Sequence, residues 1–218
     1  DIAVENSLYT QGRRGVAGTI FVHKILGHAA REGKSLAEIK DLADKIVPNI
    51  HTIGLALSGA TVPEVGKPGF VLAEDEIEYD IAVENSLYTQ GRRGVAGTIF
   101  VHKILGHGEP GYRKESMQPS RQLAEELTGK LLEAFEANSG ERYALLINGM
   151  GATPLMEQYV FANDVASILG DAGLDVAFKK LGNYMTSIDM AGLSLTLMKI
   201  ENDAWLEALE SPVKTIAW

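Results

Sequence analysis

The stretch His107-Gly108-Glu109-Pro110-Gly111 carries the residue types best suited to chemistry in this chain. A neutral imidazole nitrogen is a nucleophile, and its charge changes near physiological pH. Gly108, Pro110 and Gly111 hold the backbone open enough for a small ligand to approach, while Glu109 stands where it could set the ring's tautomer or accept its proton. The same pentapeptide also reads as a tight turn whose histidine bonds a nearby carbonyl, and no spacing fixes a second catalytic partner.

Three other groups invite a functional reading, each beside a plainer one. Gly149-Met150-Gly151-Ala152-Thr153-Pro154 is a glycine turn leading into a helix start, a geometry that can hold an anion on backbone amides. It has neither the Lys-Ser/Thr pair of a Walker A loop nor the third glycine of a dinucleotide fingerprint, so it reads first as a structural turn. The loop from Asn183 to Met190 is polar, and its Asp189 suits contact with a ligand or a partner as well as an ordinary connection. The pairs Arg13-Arg14 and Arg92-Arg93 would suit phosphate or carboxylate but read equally as solvated surface. His23, His28, His51 and His102 show no ligand spacing, and no metal is expected.

The whole chain sets limits on these sites. It has 218 residues, 45% hydrophobic and 22% charged, an ordinary balance for a globular protein. A formal charge of -9 argues against a nucleic-acid surface, which needs clustered Lys and Arg. No apolar run has membrane-spanning length, the first residues lack the order of a signal peptide, and cysteine is absent; the expected compartment is the cytoplasm.

Asp80 to His107 repeats Asp1 to His28 letter for letter. Structural repeats keep their apolar pattern and lose identity on solvent faces, so this copying is recent or deliberate. The copied insert, assigned to residues 80–106, abuts the HGEPG turn within what otherwise reads as a single α/β domain over residues 1–218.

In chain order, residues 1–9 read as a strand end or loop and residues 10–15 as a turn. Ile20, Phe21, Lys24 and Ile25 recur at helical spacing, predicting a helix from Gly15 to about Glu32, stopped by Gly33. Ser35 with Glu38 forms a capping box for a second helix with Leu36, Ile39, Ala43 and Ile46 inward. Residues 51–58, 69–74 and 74–79 read as strands. Ser120 is expected to cap a helix carrying Leu123, Leu127, Leu131 and Phe135. After a strand over 143–148, Thr153 is the expected cap and Pro154 the first residue of a helix with Leu155, Tyr159, Ala162, Ala166 and Leu169 inward. Strands over 174–179 and 193–200 and a helix over 203–209 close the chain. The fold class expected is α/β, a mixed β-sheet flanked by helices, with an extra duplicated helical segment.

VENSLYTQGRRGVAGT, ALSGATVPEVGKPGF, HGEPGYRKE, LLINGMGATPLMEQY and GNYMTSIDMAGLSLTL, in this order, resemble the carboxyl-terminal part of the substrate-binding subunit of the dihydroxyacetone kinases. That resemblance implies a fragment or engineered variant of such a subunit. It would capture dihydroxyacetone as a covalent hemiaminal on His107, with Gly108 and Glu109 also at the substrate. The phosphoryl group would come from a nucleotide-binding kinase subunit carrying ADP or ATP with magnesium, with no cofactor on this chain itself, and the subunit would be a homodimer. The family's amino-terminal domain, with a glycine-rich loop ending in His-Glu-Pro and an acid/base aspartate, is expected to lie outside this chain, so the chain alone is expected to be inactive. The alternatives are a non-catalytic relative that senses dihydroxyacetone for a regulator, or a purely structural duplication.

Overall fold

The computed structural model describes residues 17–61, 63–64, 66–68, 71–79, 113–216 and 218, at 78, 79, 113 and 114 the backbone alone. Its centre is one six-stranded sheet in the order β3-β2-β1-β6-β4-β5. The strands are β1 Ile50–Ala56, β2 Glu76–Tyr79, β3 Arg113–Ser116, β4 Arg142–Gly149, β5 Asp175–Gly182 and β6 Gly192–Lys199. Only β4 and β5 run parallel; β1 with β2, β2 with β3, β1 with β6 and β4 with β6 are antiparallel.

Helices cover both faces, and the side-chain alternation of the strands decides which residues meet which helices. On one face Ile53, Leu55, Leu145, Ile147, Leu193, Leu195 and Leu197 pack with Leu123, Leu127 and Leu131 of α3 (Ser120–Phe135) and Phe161, Val165 and Leu169 of α4 (Leu155–Asp171). On the other, Ile50, Ala144, Leu146 and Met198 pack with Ile20, Phe21 and Ile25 of α1 (Gly18–Arg31). Ile46 of α2 (Leu36–Ile46) and Trp205, Ala208 and Leu209 of α5 (Asp203–Glu210) complete that side. With both faces covered, β1 and β6 are apolar nearly throughout instead of alternating with charge.

Local chemistry explains the helix ends. Ser35 Oγ accepts from the Glu38 amide at 3.3 Å while Glu38 Oε2 accepts from the Ser35 amide at 2.8 Å, so the capping box forms as read. Gly33, at φ +83°, lets the chain leave α1 through the left-handed region, with its amide donating to Ala30 O. The Asn202 side chain accepts from Ala204 N–H to start α5.

Several expectations are corrected. Leu36 is 83% exposed, and in α2 only Ile46 is fully buried. Residues 71–75 form no strand, and β3, unforeseen, pairs with β2 instead. Pro119, not Ser120, occupies the cap of α3; Ser120 Oγ donates to Asp164 Oδ2 at 2.6 Å, joining α3 to α4. Pro154 is likewise the cap of α4 where Thr153 was expected. The buried stripe of α4 is Gln158, Phe161, Val165 and Leu169, while Leu155 and Tyr159 are 53% and 64% exposed. The inward face is thus turned one position from the apolar reading, because a buried polar network claims Gln158. Residues 1–9 and the turn at 10–15 lie outside the described residues, as does the first turn read for α1.

Candidate functional site

The chemistry-bearing segment enters and leaves at one end of the sheet. Tyr79 closes β2 and is paired with both Leu55 of β1 and Arg113, the first residue of β3. Leu55 is in turn opposite Leu193 of β6, and Leu193 opposite Gly149 of β4. The connection 80–112, which holds His107, Gly108 and Glu109, is therefore anchored on adjacent strands beside the loops that follow β1 and β4 and precede β6. His107, Gly108 and Glu109 themselves, with Arg13, Arg14, Arg92, Arg93 and His102, lie outside the described residues.

Those three loops are laced into a platform, and the lacing begins at a buried asparagine. Asn148, 1% exposed near the end of the apolar β4, accepts through Oδ1 from Tyr184 N–H at 2.9 Å and Met185 N–H at 2.8 Å. Its Nδ2 donates to Met185 O at 2.9 Å. The start of the 183–191 loop is thereby fixed to the end of β4. Thr153 Oγ1 then donates to Gly192 O at 2.6 Å and accepts from Gly192 N–H at 2.8 Å, holding the turn 150–154 on the start of β6. Gln158 Nε2 donates to Thr153 O at 2.9 Å and to Asn183 Oδ1 at 2.7 Å, tying α4 to both.

The third loop is joined the same way. Leu57 and Ser58 amides donate to Ala191 O at 2.8 and 3.1 Å, and Ser58 Oγ accepts from Ala191 N–H at 3.0 Å. Asp189 Oδ1 accepts from Thr61 N–H at 2.7 Å, and this bond holds its carboxyl below the usual range, so it is anionic at neutral pH. Asp189 thus has a loop-tying contact inside the protein.

Close backbone approach at this end requires glycine. Gly151, at φ +136°, would drive a Cβ into the carbonyl of Ile188, and Gly192, at φ +155°, into that of Leu55 with Ala56 Cα at 3.0 Å. Ile188 itself sits at φ +51°, an unfavourable conformation for a β-branched residue that the surrounding bonds hold in place. In the glycine turn, Met150 N–H donates to Gly192 O and Ala152 N–H to Met190 O, each at 3.0 Å. Two amides that an anion would need are already spent, which supports the structural reading of this turn.

Elsewhere the sequence candidates have structural neighbours. His51 is buried with its ring edge-on to Phe135 at 4.3 Å between centroids, and His28 Nε2 lies 3.4 Å from Glu32 Oε1 one turn along α1. Among the described residues no group of three or more His, Cys, Asp or Glu side chains is arranged to hold a metal, and no helix is long and apolar enough to cross a membrane. The residues that organise the platform, Asn148, Gln158 and Gly192, were not singled out in the sequence. The available signal was a polar Asn closing the apolar run YALLIN, which is also what an ordinary turn shows.

Comparison with known proteins agrees with this geometry. The PTS-dependent dihydroxyacetone kinase, dihydroxyacetone-binding subunit DhaK, of Lactococcus lactis subsp. lactis (strain IL1403) is 60% identical over 218 residues, all of this chain and 59% of that protein. The structure of the dihydroxyacetone kinase operon co-activator Dha-DhaQ superposes with a TM-score of 0.82 at 41% identity, covering 100% of this chain and 60% of the other. The crystal structure of the dihydroxyacetone kinase from C. freundii in complex with AMP-PNP and Mg2+ gives a TM-score of 0.73 at 27% identity, over 96% of this chain and 34% of that one. The chain thus spans about three-fifths of the length of the dihydroxyacetone-binding subunit it matches. The Dak1 domain matches residues 1–79 and 106–217, passing over most of the second copy of the repeat, and the chain belongs to the Dak1 domain family.

Proposed function

We propose that this chain is part of a dihydroxyacetone-binding subunit of a dihydroxyacetone kinase, in which His107 captures the substrate as a hemiaminal. The observation that carries the reading is where the family match resumes. It leaves out 80–105 and begins again at 106, so His107, Gly108 and Glu109 fall in the family's own sequence and the inserted letters end just before them. Tyr79 and Arg113 already pair across β2 and β3, so the insert extends a hairpin connection while the strands on either side keep their register. On this reading the chain is a single domain with the copied insert inside it.

In the capture step an imidazole nitrogen bonds to the carbonyl carbon, the C=O π bond breaks, and the imidazole N–H proton ends on the former ketone oxygen. Glu109 orients the ring or relays that proton. The platform of Asn148, Thr153, Gln158 and Gly192 supplies firmness at the strand ends, because ångström-scale misplacement is enough to lose such a reaction. Phosphoryl transfer would then need a nucleotide-binding subunit carrying ADP or ATP with magnesium, a homodimer is the expected assembly, and the cytoplasm is the expected location.

The test is intact-mass and peptide mass spectrometry of the chain incubated with dihydroxyacetone. The expected result is a gain of one whole dihydroxyacetone at His107 that is absent in His107→Ala. An unmodified His107 at saturating ketone, with the fold intact by circular dichroism, would remove the capture proposal.

The similarity to the DhaQ co-activator structure favours a second reading, a sensor of dihydroxyacetone that acts on a regulator. Capture would be common to both, so the discriminating measurement is turnover with a nucleotide-loaded kinase subunit added. Phosphorylated product supports the kinase reading, and an adduct without turnover supports the sensor.

A further inference from the structure

The berth of α1 is built from contacts that a second segment of the chain reproduces residue for residue. Ala17, Gly18, Ile20, Phe21, Lys24 and Ile25 are buried beneath the helix. The second copy offers Ala96, Gly97, Ile99, Phe100, Lys103 and Ile104 in the same order. The berth is demanding. A Cβ at Gly18 would lie 2.6 Å from Ile50 Cγ2 and 3.2 Å from Thr52 Oγ1, so the first turn needs glycine. Phe21 meets Phe178 and Trp218 edge-on at 6.4 and 6.5 Å, and Lys24 Nζ donates to Val213 O at 2.7 Å while lying 4.6 Å over the Trp218 ring. Every one of these requirements is met again by residues 96–104, so these contacts cannot distinguish the two copies.

Connectivity distinguishes them. The carboxyl-terminal half of α1 lies against Val213 and Thr215, next to Trp218, which stacks on Phe178 of β5. The second copy runs from His107 directly to Arg113 at the head of β3, the opposite edge of the sheet. Five strand intervals at about 4.8 Å separate those edges by roughly 24 Å. The six steps from His107 to Arg113 reach at most about 21 Å when fully drawn out, and Pro110 with its flanking glycines favours a turn. A straight path would also pass through the packed layer of α1 and α2. Residues 96–107 therefore reach the α1 berth of another molecule more readily than their own.

We propose that the α1 berth is a docking site for residues 96–107 of a second copy of this chain, which displaces the resident α1 in a reciprocal segment exchange. The resident copy keeps an advantage beyond His28. There it continues into buried Ala29 and the Gly33 exit, with Lys34 N–H donating to Ala29 O at 3.1 Å, whereas the second copy continues into Gly108 and Pro110. Exchange is therefore a minority state that grows with protein concentration.

Because the chain has no cysteine, disulfide trapping reads this directly. A Cβ at Gly27 would lie 3.4 Å from Val213 Cγ1, so Gly27→Cys with Val213→Cys closes a bridge within one chain and serves as the reference. Mixing a Gly106→Cys chain with a larger, tagged Val213→Cys chain in a glutathione redox buffer is expected to give a mixed dimer bridged at 106 and 213. Its yield should rise with concentration to about one-tenth of the reference or more. Phe100→Asp on the Gly106→Cys chain, which leaves the resident helix untouched, should lower that yield at least about tenfold. The proposal is overturned if no mixed bridge forms while the reference bridge is complete. A bridge that survives Phe100→Asp, showing chance collision, overturns it, as does a 106–213 bridge closing only within single chains of the double variant.

Discussion

Asn148 and Met185 pair as two strand residues would, but through a side chain: Asn148 Nδ2 donates to Met185 O at 2.9 Å and Asn148 Oδ1 accepts from Met185 N–H at 2.8 Å. The same Oδ1 takes the Tyr184 amide at 2.9 Å. Truncation by Asn148→Ala leaves those backbone groups without their partner, and the expected loss is about 2–4 kcal/mol, read from urea unfolding. A loss below about 1 kcal/mol would show that the 183–191 loop does not depend on this clamp.

Two helix glycines should respond to alanine with opposite signs. Gly129, inside α3, has nothing within 4 Å of an added Cβ, and Gly129→Ala is expected to stabilise by about 0.5–1 kcal/mol through helix propensity. Gly18→Ala gains the same propensity but presses a methyl to 2.6 Å from Ile50 Cγ2, and overpacking at about 1–3 kcal/mol wins. Melting temperatures of the two variants should bracket the parent.

Thr128 carries a buried hydroxyl, 0% exposed, with no hydrogen-bond partner among the described residues. Thr128→Val replaces it with a methyl of the same shape and removes a desolvation cost, so unfolding should become harder by about 1 kcal/mol. Equal or lower stability would mean that the hydroxyl is satisfied in solution.

Glu141 gives stability a specific dependence on acid. Lys199 Nζ at 2.5 Å, with further bonds from the Tyr143 hydroxyl and a backbone amide, depresses its carboxyl from 4.5 to about 2. A depressed carboxylate stabilises the fold above its unfolded value and ceases to do so as pH falls through its folded one. Glu141→Gln should therefore cost about 1 kcal/mol at pH 7, since water screens a partly exposed pair, and nothing by about pH 2. Unfolding midpoints at both pH values check the convergence.

The helices and main strands were legible because their signals are local. Ser35 and Glu38 sit three apart and form their capping box without outside help, Gly33 stops α1, and Leu123, Leu127 and Leu131 face inward at helical spacing. The face of α4 was not legible. Tyr159 is apolar and points out, while Gln158 is polar and lies inside because Thr153 and Asn183 receive its amide. A partner brought from a distant loop outweighs the hydrophobic period of the helix itself.

The duplicated letters divide what each level determines. The sequence alone established the α/β class, the identity of the two copies and the place of His107 in a turn rich in glycine, since these rest on residue type and neighbour order. Only the folded chain decided that residues 17–28 pack as the start of α1, and that Tyr79 and Arg113 meet beside the laced loops of β1, β4 and β6. Two identical segments have identical propensities. What separates them is where the strands on either side anchor the chain, and that depends on contacts between residues far apart in sequence.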